Sequence, residues 1–268
     1  MTVENMENTV KLPVLRLGES GPSQIEDIVV RELPLTIFFN GTELVTMLCS
    51  PAELKELAVG FLFSEGFIES KEDIKGIVID DKRGLARVES AGSSKMADEG
   101  TFKRFIASGC GRGASFYSAA DIDQKSKVES EATISAATVH ELMKGFQQRS
   151  EVFRATGGVH SAALVRDGEI VAFAEDIGRH NAVDKVFGHC LLEGIATKDG
   201  AIITSGRISS EILLKVAKRS IPILISKSAP TNLGVKLADD LGVTLVGFVR
   251  GRRMNVYTHS RRIKTDGE

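Results

Sequence analysis

Apolar and polar positions keep one rhythm in the first third of the chain and another in the last half. From Val29, VVRELPLTIFFNGTELVTMLCS is two β-rich runs joined by Asn40-Gly41, a pair that tolerates positive φ and so predicts a hairpin. Ser50-Pro51-Ala52-Glu53 reads as a helix start, with Ser50 as cap, Pro51 in the first turn and Glu53 completing a capping box. Behind it Leu54, Leu57, Ala58, Phe61 and Leu62 recur at the spacing of one buried helical face, and Gly66 marks its end. A second hairpin is expected over residues 77–89, turning at Lys82-Arg83-Gly84. Residues 1–26 show no such pattern and read as a flexible leader.

Residues 91–101 are small, polar and Gly-containing, which predicts a flexible loop. A strand is expected over 102–107, followed by Ser108-Gly109-Cys110-Gly111-Arg112-Gly113-Ala114, and a helix over about 137–149. Next comes a hairpin, SAALV and IVAFA around Asp167-Gly168. After it AIIT, ILIS and TLVGFV are separated by the amphipathic stretches SSEILLKVAKR and TNLGVKLADDLG. Short apolar runs separated by such helices predict an α/β fold with a buried, largely parallel sheet and helices on its faces. The expected organisation is a leader (1–26), a smaller β-rich domain carrying the Cys110 loop (27–134) and an α/β domain that binds a ligand (135–268).

Composition narrows the function. A chain of 268 residues, 42% apolar, can bury a sizeable core. Lys plus Arg total 34 against 36 Asp plus Glu, a formal net charge of -2, which argues against a general nucleic-acid binder. An anionic ligand must therefore be met by a local cluster of cations. No apolar run approaches the roughly 20 residues of a membrane span, and the N-terminus lacks a basic-then-apolar signal pattern; a cytoplasmic protein is expected. The cysteines at 49, 110 and 190 are odd in number and widely separated, so free thiols are expected rather than disulfides. No zinc spacing is present, and His140-Glu141 lacks the H-x-E and P-C-x-x-C of a zinc deaminase.

In open α/β sheets ligands sit outside the carboxyl ends of the strands. Those ends supply Arg179 and His180, then Ser205 and Arg207, then Ser228, and last Phe248, Val249, Arg250, Gly251, Arg252 and Arg253. Small residues let the backbone approach a ligand, and helix starts with fixed positive charge attract phosphates. The same glycines and serines also suit ordinary turns and caps. His160 could orient a ligand or cap the strand that follows it. Cys49, in an apolar strand, and Cys190, on an apolar helix face with Val183, Val186, Phe187 and Leu191, read as core. Cys110 differs. Gly109, Gly111 and Gly113 are expected to expose its thiol and Arg112 to favour the reactive thiolate, the alternative being a chance cysteine in a turn.

The ordered segments resemble the formate dehydrogenase accessory sulfurtransferase (FdhD/NarQ) family from about Glu32 to Thr258. They are E-x-P-L at Glu32–Leu35, GFLFSEGFI at Gly60–Ile68, the Cys110 loop, TGGVHSAAL at Thr156–Leu164, EDIGRHNAVDKV at Glu175–Val186, SGRISSE at Ser205–Glu211, SAPT at Ser228–Thr231 and GFVRGRRMNVYT at Gly247–Thr258. The resemblance implies a cytidine-deaminase-like three-layer α/β domain preceded by a smaller β-rich domain, assembled as a homodimer. It implies a sulfur carrier that takes persulfide sulfur from a cysteine desulfurase onto Cys110. The sulfur then passes to the molybdenum bis(molybdopterin guanine dinucleotide) cofactor of the formate dehydrogenase catalytic subunit, held as bound substrate at Phe248–Arg253. The family often shows C-G-x-C; here the second position is Gly113, so Cys110 has no neighbouring thiol to resolve it. The competing readings are a cofactor-binding chaperone without covalent sulfur transfer, a hydrolase of the deaminase type, and a cysteine hydrolase pairing Cys110 with His160 or His180.

Overall fold

The computed structural model describes residues 8–91 and 127–265. It opens on β1 (Thr9–Gly18) and β2 (Gly21–Val30), an antiparallel ribbon paired along its whole length. The flexible leader expected there is thus, over the described residues, two ordered strands. Next come β3 (Leu33–Phe39) and β4 (Thr42–Cys49), joined through Asn40 and Gly41 at φ 50° and 78°, as that dipeptide predicted. Helix α1 (Leu54–Glu65) follows, and Gly66 closes it in the left-handed region at φ 89°.

The expected capping box does not form. The helix starts at Leu54, Glu53 is left-handed at φ 55°, and no side chain caps it. Ser50 is used for tertiary contact instead. Its backbone N–H donates to Asp176 Oδ2 at 3.0 Å, and its hydroxyl oxygen accepts from the N–H of Ile177 at 3.2 Å. Strands β5 (Ile74–Asp80) and β6 (Leu85–Ser90) form the second predicted hairpin, and β6 adds in parallel to β3, giving the order β4-β3-β6-β5.

Beyond residue 127, β7 (Ile134–Ser135) leads into α2 (Ala136–Arg149), which Ser135 caps by accepting from the N–H of Thr138, and then into α3 (Glu151–Thr156). The hairpin β8 (His160–Arg166) and β9 (Glu169–Asp176) turns at Asp167-Gly168 with φ of 49° and 78°. The rest alternates: α4 (Arg179–Glu193), β10 (Ala201–Thr204), α5 (Ser210–Lys218), β11 (Ile223–Ser226), α6 (Asn232–Asp240), β12 (Thr244–Arg250), β13 (Arg253–Val256) and β14 (Ile263–Lys264). Six of these strands form one sheet in the order β13-β12-β11-β10-β8-β9. Its β10-β11 and β11-β12 pairs are parallel, whereas β8, β9 and β13 run antiparallel to their neighbours, so the sheet is mixed rather than largely parallel.

Side-chain alternation on those strands builds two apolar layers. Ala163, Val165, Ile203, Ile225 and Val246 face Val139, Leu142, Met143 and Phe146 of α2. Leu164, Ile202, Leu224 and Leu245 face the opposite way, into a cluster with α4, α5 and α6. That second cluster continues through α1 into the sheet of β3–β6, so the two halves of the chain share one core. Helices α1 and α4 cross closely because Gly60 and Gly188 meet there. A Cβ on Gly60 would fall on the carbonyl oxygen of Asp184, and one on Gly188 on that of Glu56.

Buried charge also joins the halves. Lys215 Nζ contacts Asp184 at 2.8 and 2.9 Å and Glu65 Oε1 at 3.1 Å, while Ser64 Oγ donates to Asp184 at 2.6 Å. Lys185 pairs with Asp176 at 2.8 Å, both side chains being fully buried. Asp176 also accepts from Asn181 Nδ2 and from the N–H of Gly178. Charges this deep persist because each has a partner. No helix among the described residues is long and apolar enough to cross a membrane.

Candidate functional site

Three strand ends are stitched together at one edge of the large sheet. Because β8 runs antiparallel to β10, its first residues lie beside the end of β10. The N–H of Ser161 donates to Ser205 Oγ at 3.0 Å, and Nδ1 of His160 lies 3.3 Å from the same oxygen. Ser226 Oγ donates to the carbonyl of Gly206 at 2.7 Å and accepts from the N–H of Ser228 at 2.9 Å. The N–H of Phe248 donates to the carbonyl of Ser228, and Arg250 Nε to that of Lys227. Short strands ending in Thr204 and Ser226 bring hydroxyl groups to this edge, where they bind loop backbone that no strand can pair.

The last loop is bent on purpose-built geometry. Register shifts between Gly247 and Arg250, and Phe248 sits at φ 54°, a region costly for a bulky residue. Gly247 is packed so closely that a Cβ would lie 3.0 Å from the ring of Tyr257 and 3.2 Å from the Ser228 carbonyl oxygen. The bulge leaves Arg250, Gly251 and Arg252 exposed at the rim, with the Arg250 guanidinium 5.7 Å from the centre of the Phe248 ring.

These residues form one side of a cleft of about 1330 Å³. Ser205, Ser228, Arg250, Gly251 and Arg252, singled out from the sequence, line it together with His160. Helix α2 also lines it, contributing His140, Lys144 and Gln147 beside the nearly buried Met143 and Phe146, and Phe153 of α3 adds an exposed ring. The α2 wall escaped the sequence reading because its apolar period accounts only for the core face. Lys227 also lines the cleft; its place between Ser226 and Ser228 at a strand end was the available signal. With Lys144, Arg154, Lys227, Arg250 and Arg252 against Glu141 alone, the lining is predominantly cationic. That suits an anionic ligand with a flat or apolar part.

Other expected site residues lie elsewhere. Val249 is fully buried in the layer beneath α2, so its side chain faces core and not ligand. Arg253 pairs in register with Arg250 and is exposed on β13. Arg179 and His180 begin α4 beside the cleft: Gly206 leaves room for Arg179, whose Cβ would be 2.8 Å from a Cβ there. His180 Nε2 lies 3.1 Å from Glu211 Oε2 and 3.5 Å from Ser209 Oγ. Burial, and then the charges of Arg179, His180 and Arg207, hold His160 below the ordinary histidine value. Burial and the like charge of Arg207 likewise lower Arg179, so an anion bound nearby would relieve both.

Cys49 and Cys190 are fully buried, as their sequence context predicted, and burial pushes both thiols up to about 12. Neither supplies thiolate at neutral pH. Cys110 and its glycine loop lie outside the described residues.

Known proteins resemble the chain along nearly its full length. It is 50% identical over 238 residues, 89% of this chain and 90% of the relative, to "Sulfur carrier protein FdhD" of Geobacillus kaustophilus. It is 44% identical to the protein of that name in Bacillus subtilis, over 97% of this chain and 99% of that one. A crystal structure of a putative formate dehydrogenase accessory protein from Desulfotalea psychrophila superposes with a TM-score of 0.77 at 27% identity. That match covers 96% of this chain and 99% of the other. The FdhD/NarQ family model matches residues 30–264, and the chain therefore belongs to the FdhD/NarQ family.

Proposed function

We propose that this chain is a sulfur carrier in formate dehydrogenase maturation, a sulfurtransferase working in the cytoplasm. The relatives named as sulfur carriers support the role. The observation that carries the ligand half of the reading is the convergence of Ser205, Ser228, Arg250 and Arg252 on one cationic cleft. In this reading the cleft holds the guanine-dinucleotide part of the molybdenum bis(molybdopterin guanine dinucleotide) cofactor as cargo. Arginine forks and backbone N–H groups grip the pyrophosphate, and the exposed ring of Phe153 in the lining takes the flat base. The α/β domain stays cytidine-deaminase-like in this reading, with α2 covering one face of the sheet and α4–α6 the other.

Cys110 supplies the covalent half. Its thiolate attacks the outer sulfur of a cysteine desulfurase's persulfide; the donor's S–S bond breaks, the donor thiolate leaves, and Cys110 carries the new S–S bond. Without a second thiol at position 113, the carried sulfur stays on Cys110 until the cofactor of the dehydrogenase catalytic subunit accepts it. The test is the intact mass of the full chain after incubation with a cysteine desulfurase and cysteine. Wild type should gain one sulfur atom and Cys110→Ala none, and cells relying on Cys110→Ala should lack formate dehydrogenase activity. Full activity with Cys110→Ala would replace this reading with that of a cofactor chaperone making no covalent transfer.

A further inference from the structure

His160 opens β8 and lines the cleft, half-buried, with Nδ1 3.3 Å from Ser205 Oγ. That oxygen already accepts the N–H of Ser161 at 3.0 Å. A hydroxyl has one proton to give and two lone pairs to fill. In the neutral ring the basic Nδ1 lone pair is a better acceptor than a hydroxyl oxygen, so it takes the Ser205 proton and Nε2 carries the ring's own. Once Nδ1 is protonated the bond reverses. The ring donates, Ser205 Oγ accepts twice, and its proton is free to point into the cleft. The charge on His160 thus decides whether Ser205 can donate to a ligand.

The surroundings of the ring are short of negative charge. Arg179 and His180 begin α4, Arg179 packs on Gly206, and Arg207 follows in that loop. Lys144, Arg154 and Lys227 line the same cleft, with His140 and the single acid Glu141. The nearer acids are engaged elsewhere. Asp176, paired with His160 across β8 and β9, accepts from Lys185, Asn181 and the N–H groups of Ser50 and Gly178. Glu175 accepts the N–H groups of Val152 and Phe153, and Glu211 lies 3.1 Å from His180. Arg179 Nε is buried with no hydrogen-bond partner among the described residues. Burial and then the charges of Arg179, His180 and Arg207 keep the ring from its proton, and Asp176 offsets only part of this. A phosphate beside Ser205 would supply the missing negative charge.

We propose that the cleft takes up a proton with its anionic ligand, the proton settling on Nδ1 of His160 while the Ser205 hydroxyl turns from the ring to a phosphate oxygen. This rests on the cleft being the anion site proposed above; the proton comes from water and no covalent bond changes. Phosphate favours the charged ring, so by reciprocity the charged ring favours phosphate. Affinity should climb as pH falls through the ligand-bound midpoint of His160, by up to about tenfold per pH unit, and level off below the ligand-free one. Calorimetry of the full chain with guanosine diphosphate, at about pH 7 in Tris and in HEPES, whose ionisation heats differ, counts the protons. Nuclear magnetic resonance follows the ring with and without the nucleotide. Wild type should take up protons and its ring midpoint should rise. His160→Gln, whose amide can still meet Ser205 but cannot titrate, should bind with no uptake beyond the nucleotide's own. Ser205→Ala should lose more affinity at about pH 6 than at about pH 8, because only the charged ring frees the hydroxyl. An equal proton count in wild type and His160→Gln, a midpoint that the nucleotide does not raise, or an equal loss at both pH values in Ser205→Ala overturns the proposal and leaves the anion site standing. No binding by wild type at any pH removes the site and the proposal together. If His160→Gln does not fold, the wild-type midpoint decides alone.

Discussion

At the scale of single residues, the protonation of His160 and of the buried thiols makes the clearest predictions. His160 titrates below the ordinary value in the folded chain, whereas the unfolded chain takes up its proton near pH 6.5. As pH falls past about 6.5, the unfolded state binds more protons and stability drops; once pH is below the folded value the penalty is constant. Nuclear magnetic resonance should place the ring's midpoint below about 6.5, and His160→Gln should lessen the acid-side loss in urea titrations. A midpoint at or above that value would refute the environment described for it. Cys49 and Cys190, with thiols pushed up to about 12, should resist iodoacetamide at neutral pH while Cys110 reacts. Peptide mapping before and after unfolding reads this directly, and labelling of Cys49 or Cys190 in the native chain would contradict their burial.

Among the elements, α1 crosses α4 with glycine at the contact on both helices. Because a methyl group at Gly60 or Gly188 would overlap backbone that cannot give way, Gly60→Ala and Gly188→Ala should each cost about 3 kcal/mol or more. Chemical denaturation checks this; a change within about 0.5 kcal/mol, usual for a surface position, would mean that the helices are farther apart. Elements whose signal is local were legible in the sequence. Asn40-Gly41 and Asp167-Gly168 set their turns through positive φ, and the alternation of apolar runs with amphipathic stretches gave the strands and helices after residue 200 in order. What escaped depends on distant partners. Ser50 read as a cap because Asp176, its actual partner, lies 126 residues away. Asp184, Lys185 and Lys215 look like surface positions until their partners are known. The β1–β2 ribbon carries apolar residues on both faces, so alternation could not reveal it. At the cleft, Ser205, Ser228, Arg250 and Arg252 were visible as strand ends, while the α2 wall was not, since helical periodicity identifies only the face it buries.

For the molecule as a whole, a net charge of -2 coexists with a cationic cleft. Attraction for an anion is therefore local, and what salt screens is short-range contact rather than long-range steering. Guanosine diphosphate should bind the full chain, weaken as sodium chloride rises, and lose about tenfold in affinity with Arg250→Ala. Calorimetry that finds the same affinity in Arg250→Ala would remove the rim from the binding site. The buried ion pairs also bear on how the molecule can be divided. Asp184 takes a hydrogen bond from Ser64, Lys215 an ion pair from Glu65, and Asp176 a hydrogen bond from Ser50. A fragment beginning at residue 127 would carry the entire described lining of the cleft, yet three of its ionised side chains would have lost a neighbour supplied by the missing portion. Such a fragment should be insoluble or molten when expressed alone, and adding residues 8–91 as a separate polypeptide is the natural way to rescue it.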